Sequence, residues 1–201
     1  MLESIQFLIE KEPVFKSLFQ KYGVPFIPYR EEGFNTLCKL IIEQQVSLAS
    51  AKACYQKLES FLGDITPETI LKTSLEELRN NGVSRQKATY LHSLSEAILS
   101  KQLDLTSLQD KDEAIVRSEL IQVKGIGNWT IDIYLMFSLQ HQDILPIGDI
   151  AIQNSIKELF SCSTLEEIET ISKKWKPFRS MAAFFLWHHY LESRGRKPLV
   201  Y

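Results

Sequence analysis

The sequence predicts an all-α fold, and three features carry that prediction. Signals that start and stop helices recur along almost the whole chain. The links between them are short. Few stretches alternate apolar and polar residues between turns, as strands would. Two helical lobes around a cleft are the expected arrangement, although no stretch of sequence marks a hinge.

The elements follow in order. Phe34, Leu37, Leu40 and Ile41 form the apolar stripe of a first amphipathic helix. After Glu43-Gln44-Gln45-Val46, Ser47 is placed to cap a second helix carrying Leu48, Ala51, Tyr55, Leu58 and Phe61, closed near Gly63. Thr66-Pro67-Glu68 is an N-cap with proline at the first helical position. Ser74 with Glu77 three residues later is a capping box, and Gly82 ends that short helix. Ser84 opens a longer helix with Ala88, Leu91, Leu94, Ala97 and Ile98 on one face. Further helices are expected at about 112–121, 128–139, 150–160, 165–174 and 178–193.

With 44% hydrophobic and 24% charged residues in a chain of 201, there is enough apolar content to bury a sizeable core, so disorder is excluded as the main state. No apolar run approaches the ~18–20 residues that span a bilayer, and the first residues lack the basic flank and cleavage site of a signal peptide. A cytosolic protein without membrane partners is expected. Cys38, Cys54 and Cys162 form an odd set with no Cys-x-x-Cys pair, which speaks against a disulfide framework or a four-cysteine metal site. The histidines, His92, His141, His188 and His189, show no metal-ligand spacing, and neighbouring rings on a helix point to different faces.

The net charge of −2 argues weakly against a nucleic-acid partner, but its distribution matters more. Lys173, Lys174, Lys176, Arg179, Arg194, Arg196 and Lys197 stand against Glu192 alone, a net +6 over the last 29 residues. That segment is either a phosphate-facing surface or a solvated basic tail.

The most informative stretch is Leu120-Ile121-Gln122-Val123-Lys124-Gly125-Ile126-Gly127-Asn128-Trp129-Thr130. A helix runs into Gly-Ile-Gly and another begins at once. Two glycines allow a tight turn and close approach of another backbone, while Ile126 anchors the turn in the core. The unpaired amides of the new helix's N-terminus can receive an anion, so a clamp on phosphate needs few charged side chains. The plainer use of such a turn is a link between packed helices.

This stretch resembles the helix-hairpin-helix of the helix-hairpin-helix–GPD DNA glycosylases, and within them the 3-methyladenine DNA glycosylase II branch. Three other segments are similar in order: Ile41-Ile42-Glu43-Gln44-Gln45-Val46-Ser47, Leu145-Pro146-Ile147-Gly148-Asp149, and Trp175-Lys176-Pro177-Phe178-Arg179-Ser180 followed by Trp187. The resemblance spans about residues 34–190. It implies a single catalytic domain over 1–201, with the hairpin at about 112–139, and a compact form without room before residue 34 for an extra N-terminal domain.

The resemblance also implies the site. Asp149 becomes the catalytic carboxylate; the residues themselves offer helix capping as a second role, because Gly148 permits a sharp turn and Asp149 opens the stretch Ile150, Ile152, Ile156, Leu159. Asp132, three residues after Trp129, is the rival carboxylate, with a buried structural hydrogen bond as its alternative job. Trp129 and Trp187 are implied as walls of the base pocket, suited to a flat cationic base. Gln44, Gln45, Ser47, Lys124, Gly125 and Gly127 are implied at the DNA, with Gln45 at the wedge position, where a glutamine either enters the duplex or contacts the orphaned base or the backbone; the residues themselves also offer a plain polar turn between helices at 44–47. Arg179 and Lys176 either bind phosphate or hold the C-terminal helix. The backbone carbonyls of Ile121, Val123 and Ile126 would hold a structural monovalent cation; no other cofactor is required.

The implied activity is release of alkylated purines such as 3-methyladenine from duplex DNA, by nucleotide flipping, in base excision repair. Members that also cut the strand carry a Schiff-base lysine just after the glycines. Trp129 stands there, so a monofunctional enzyme is expected. A monomer is the default, placed in the cytoplasm at the nucleoid, or in a nucleus. The alternatives are a glycosylase for another lesion class and a non-catalytic helix-hairpin-helix DNA-binding module.

Overall fold

The computed structural model describes residues 1–196, and every regular element among them is a helix. In chain order these are α1 (Leu2–Lys11), α2 (Pro13–Tyr22), α3 (Phe34–Glu43), α4 (Leu48–Leu62), α5 (Pro67–Lys72), α6 (Leu75–Asn80) and α7 (Arg85–Leu99). They continue with α8 (Glu113–Leu120), α9 (Asn128–Phe137), α10 (Ile150–Phe160), α11 (Leu165–Ser172) and α12 (Arg179–Glu192), with short 3-10 turns at Leu105–Asp110 and Lys173–Trp175.

The caps sit where the punctuation put them. The Ser47, Thr66, Ser74 and Ser84 side chains each accept an amide of their helix's first turn, and Thr66 and Ser74 belong to full capping boxes. α9 stops at Phe137 and α11 at Ser172, two residues short of the expected ends in each case. α1, α2 and the first 3-10 turn fall where no element was expected. A single residue, Glu12, separates α1 from α2; it is extended (φ −135°, ψ 119°), as a residue before proline prefers, and Pro13 opens α2. The two short helices therefore run together in any periodicity reading, and Glu12-Pro13 was the signal that divides them.

The chain forms two compact units: Met1–Tyr29 together with residues 135–196, and Arg30–Tyr134. In the first, α10 and α12 pack together, α2 lies on α12, and the core is aromatic. Phe15 and Trp175 are fully buried with ring centroids 5.3 Å apart, and Phe160 and Phe185 complete the cluster. Burying these rings, three of them almost completely and Phe160 in part, is a large share of what holds this unit, since a fully buried aromatic side chain removes roughly 150–250 Å² from water.

The second unit is built on α3 and α7. α3 buries Leu37, Cys38, Leu40, Ile41 and Ile42, so it is covered almost all round. Its last residue, Glu43, is 3% exposed and takes a bidentate pair from Arg30 at 2.9 and 3.1 Å. A fork of this kind fixes direction as well as charge. Cys38 is buried here as a small apolar residue, its thiol pushed up by desolvation; the cysteines are all free.

The basic C-terminal segment is less exposed in charge than its local sum suggests. Lys174 lies 3.8 Å from Glu12, Lys176 and Arg179 face Asp143, and Arg194 lies 3.9 Å from Glu158. These acids come from elsewhere in the chain, which a count along the segment cannot see. Lys197 lies outside the described residues. His188 and His189 both have ring centroids near that of Tyr22 (5.7 and 6.1 Å), while His188 turns to Glu192 and His189 to Glu158.

Candidate active site

In the second unit, α8 and α9 form the hairpin. Ile126 and Val123 are buried, and the Ile126 amide donates to the Val123 carbonyl at 3.0 Å, closing the turn. The two glycines serve different needs. Gly125 has φ +99°, and a Cβ there would stand 2.1 Å from Cγ of Tyr90 on α7, so neither the backbone nor the space accepts a side chain. Gly127 has open space around it and is exposed, as are Lys124 and Asn128, at the start of α9. Trp129 is half-buried in the first turn of α9. Asp132 is buried and accepts from the Arg117 guanidinium at 2.6 Å, a structural use of the rival carboxylate.

The turn after α3 faces this hairpin. Gln44 donates its side-chain amide to the Gly125 carbonyl at 2.8 Å and to the Thr130 hydroxyl at 3.1 Å. Gln45 follows in the left-handed region (φ +57°) and is exposed, flanked by exposed Val46 and Leu48. Ser47 caps α4, its hydroxyl accepting from the Ser50 amide at 3.2 Å. Lys87, on α7, donates to the Ile42 carbonyl at 2.8 Å; partial burial pulls its ammonium below the ordinary lysine range.

In the first unit, the segment before α10 delivers Asp149. The start of α12 grips that segment: Arg179 forks onto the Asp143 carboxylate at 2.7 and 2.9 Å and also donates to the Asp143 carbonyl. The Ser180 hydroxyl donates to the His141 carbonyl at 2.7 Å and accepts from the Ile144 amide at 3.0 Å. Of the two uses open to Arg179, its guanidinium is thus engaged on the protein side. Asp149 is the N-cap of α10. Its Oδ1 accepts the amides of Ala151 (2.9 Å) and Ile152 (3.1 Å), and a third donor arrives from α12, the Trp187 indole N–H at 3.2 Å. Trp187 is itself set by Phe137 and Phe184, with centroids at 5.7 and 6.1 Å.

The structure therefore brings Asp149 and Trp187 together in one unit, and Gln44, Gly125 and the start of α9 together in the other. The Trp187–Asp149 hydrogen bond escaped the sequence reading, which saw only an aromatic face; no spacing rule links positions 38 residues apart.

Residues 38–178 match the HhH-GPD superfamily of base excision DNA repair proteins. The chain belongs to that superfamily. Among its relatives, the alkylbase DNA glycosidase-like protein mag2 of Schizosaccharomyces pombe is 32% identical over 181 residues, 85% of each chain. Two solved structures superpose on nearly the whole chain. The Schizosaccharomyces pombe 3-methyladenine DNA glycosylase in complex with abasic DNA gives a TM-score of 0.84 at 28% identity, covering 92% of this chain and 95% of that one. The Bacillus halodurans DNA-3-methyladenine glycosidase gives 0.82 at 28% identity, covering 96% and 91%. Among the described residues no helix is long and apolar enough to cross a membrane, and no cluster of three or more His, Cys, Asp or Glu could hold a metal ion.

Proposed function

We propose that this chain is a monofunctional DNA glycosylase that releases alkylated purines, 3-methyladenine among them, from duplex DNA. The observation that carries the reading is the fixed carboxylate: Asp149 Oδ1 held by two helix amides and the Trp187 indole. A group held by three donors costs little reorganisation when positive charge develops opposite it. The names of the relatives supply the lesion class.

An N3- or N7-alkylated purine is already cationic, so its glycosidic bond needs no general acid. The C1′–N9 bond breaks with its electron pair leaving on the base, which becomes neutral. The Asp149 carboxylate stabilises the oxocarbenium-like sugar, water forms the new C1′–O bond, and its proton passes to the carboxylate or to solvent. Trp187, beside Asp149, would provide aromatic surface for the flipped base, worth roughly 0.5–2 kcal/mol toward a cation, and Trp129 is a second aromatic candidate. Lys124, Gly127 and the first amides of α9 would hold backbone phosphate, and Gln45 would enter the duplex where the nucleotide leaves. Hard carbonyl oxygens from Ile121, Val123 and Ile126 suit a monovalent cation, which would add positive charge beside that phosphate. Trp129 occupies the position where strand-cutting relatives carry lysine, so no imine forms there.

The test is to incubate the protein with methylated duplex DNA and identify released bases by chromatography. Release of 3-methyladenine with abasic strands left uncut is the expected result; cut strands would overturn the monofunctional reading, and no released base would overturn the glycosylase. Trp187→Phe separates the two duties of that side chain. It keeps an aromatic ring, a smaller one, and removes the N–H, so single-turnover release should slow by about tenfold, a loss of roughly 1.4 kcal/mol, with duplex affinity unchanged.

A further inference from the structure

Gln44 lies in a segment where DNA contacts are expected, yet both hydrogens of its side-chain amide are spent on the protein: one on the Gly125 carbonyl, one on the Thr130 hydroxyl. Those acceptors sit at the first residue of the Gly-Ile-Gly turn and three residues beyond its last. Thr130 is 1% exposed, so its bond to Gln44 lies within the packed hairpin. The residue after Gln44 is the exposed, left-handed Gln45, whose direction is set by how Gln44 is anchored.

The surroundings hold each partner in place. Tyr90 of α7 fills the space behind Gly125, and Lys87, three residues earlier on α7, ties down the Ile42 carbonyl at the end of α3. Arg30 fixes Glu43, directly before Gln44. Hairpin and turn are thus backed by one helix and joined across the front by one amide.

We propose that Gln44 is a positioning residue: a strut that holds the Gln45 turn in register with the hairpin, so that gripping phosphate at the hairpin aims the wedge. This rests on the glycosylase reading above for its functional part only. The strut transmits no charge to DNA and touches no reacting atom. It matters only when a paired nucleotide has to be forced out, because then the wedge is pushed back against the hairpin.

Gln44→Met keeps the length of the side chain and removes both donors; Gln44→Glu places a carboxylate against the Gly125 carbonyl. Hydrogen exchange of the free proteins should show peptides spanning 122–130 exchanging several-fold faster in both variants, with a melting temperature lowered by only a few degrees. Affinity for undamaged duplex should stay within twofold. Single-turnover release of an alkylated base should fall about tenfold when the lesion is paired and stay near wild type when it lies in a bulge. A general loss of structure would lower both rates together and would overturn the proposal. So would unchanged exchange with weakened duplex affinity, which would make Gln44 a direct DNA contact. If wild type releases no base from either substrate, the glycosylase reading fails, and the exchange result still decides the strut.

Discussion

Asp149→Asn should abolish most base release while leaving the fold in place. Asparagine caps helices about as well as aspartate, so the amides of Ala151 and Ile152 keep an acceptor and α10 keeps its start. What disappears is the negative charge that the proposed mechanism sets opposite the developing sugar cation. Loss of one pre-positioned electrostatic group lowers the rate by about 10²–10³-fold in comparable sites, and an effect of that size is expected in single-turnover release of 3-methyladenine. Affinity for duplex containing an abasic site should change only a few-fold. A variant that releases base within threefold of wild type would remove Asp149 from the chemistry and leave it as a cap alone.

Gly125→Ala is the expected large loss of stability. The substitution puts a Cβ 2.1 Å from the Tyr90 ring at φ +99°, so it combines backbone strain with overpacking against a ring that has no flexible end to move aside. Each contributes roughly 1–3 kcal/mol, and a total of about 3 kcal/mol or more is expected in denaturant unfolding. Gly127→Ala is its control. Nothing lies within 4 Å of the added atom there, so stability should change by less than about 1 kcal/mol. If the two substitutions cost the same, the contact with Tyr90 is not what requires glycine at 125.

Most of the helical architecture was legible because its signals are local. Ser47, Ser74 and Ser84 announce helices from within four residues, and the structure uses each one. α1 and α2 were missed for a local reason too, since one extended residue divides them and blurs both periods. What sequence could not carry were the long-range partners. Arg179 looks equally ready for phosphate or for protein until Asp143, 36 residues earlier, is seen in its fork. Gln44 likewise reads as a polar turn residue until Gly125 and Thr130 are found 81 and 86 residues away. The family resemblance points to positions, but their partners belong to the folded chain.

The grip of α12 on the segment before Asp149 has a consequence for synthesis. Asp143, His141 and Ile144 are held by Arg179 and Ser180, and Asp149 receives its third donor from Trp187. All of those anchors are translated some 30 to 40 residues after the groups they hold. At about 5–20 residues per second, several seconds of elongation separate the carboxylate from its last support. A nascent or truncated chain that stops before Arg179 carries Asp149 and the two amides that cap it, but neither the Arg179 and Ser180 anchors nor the Trp187 donor, so the arrangement around the carboxylate is complete only when α12 has been made.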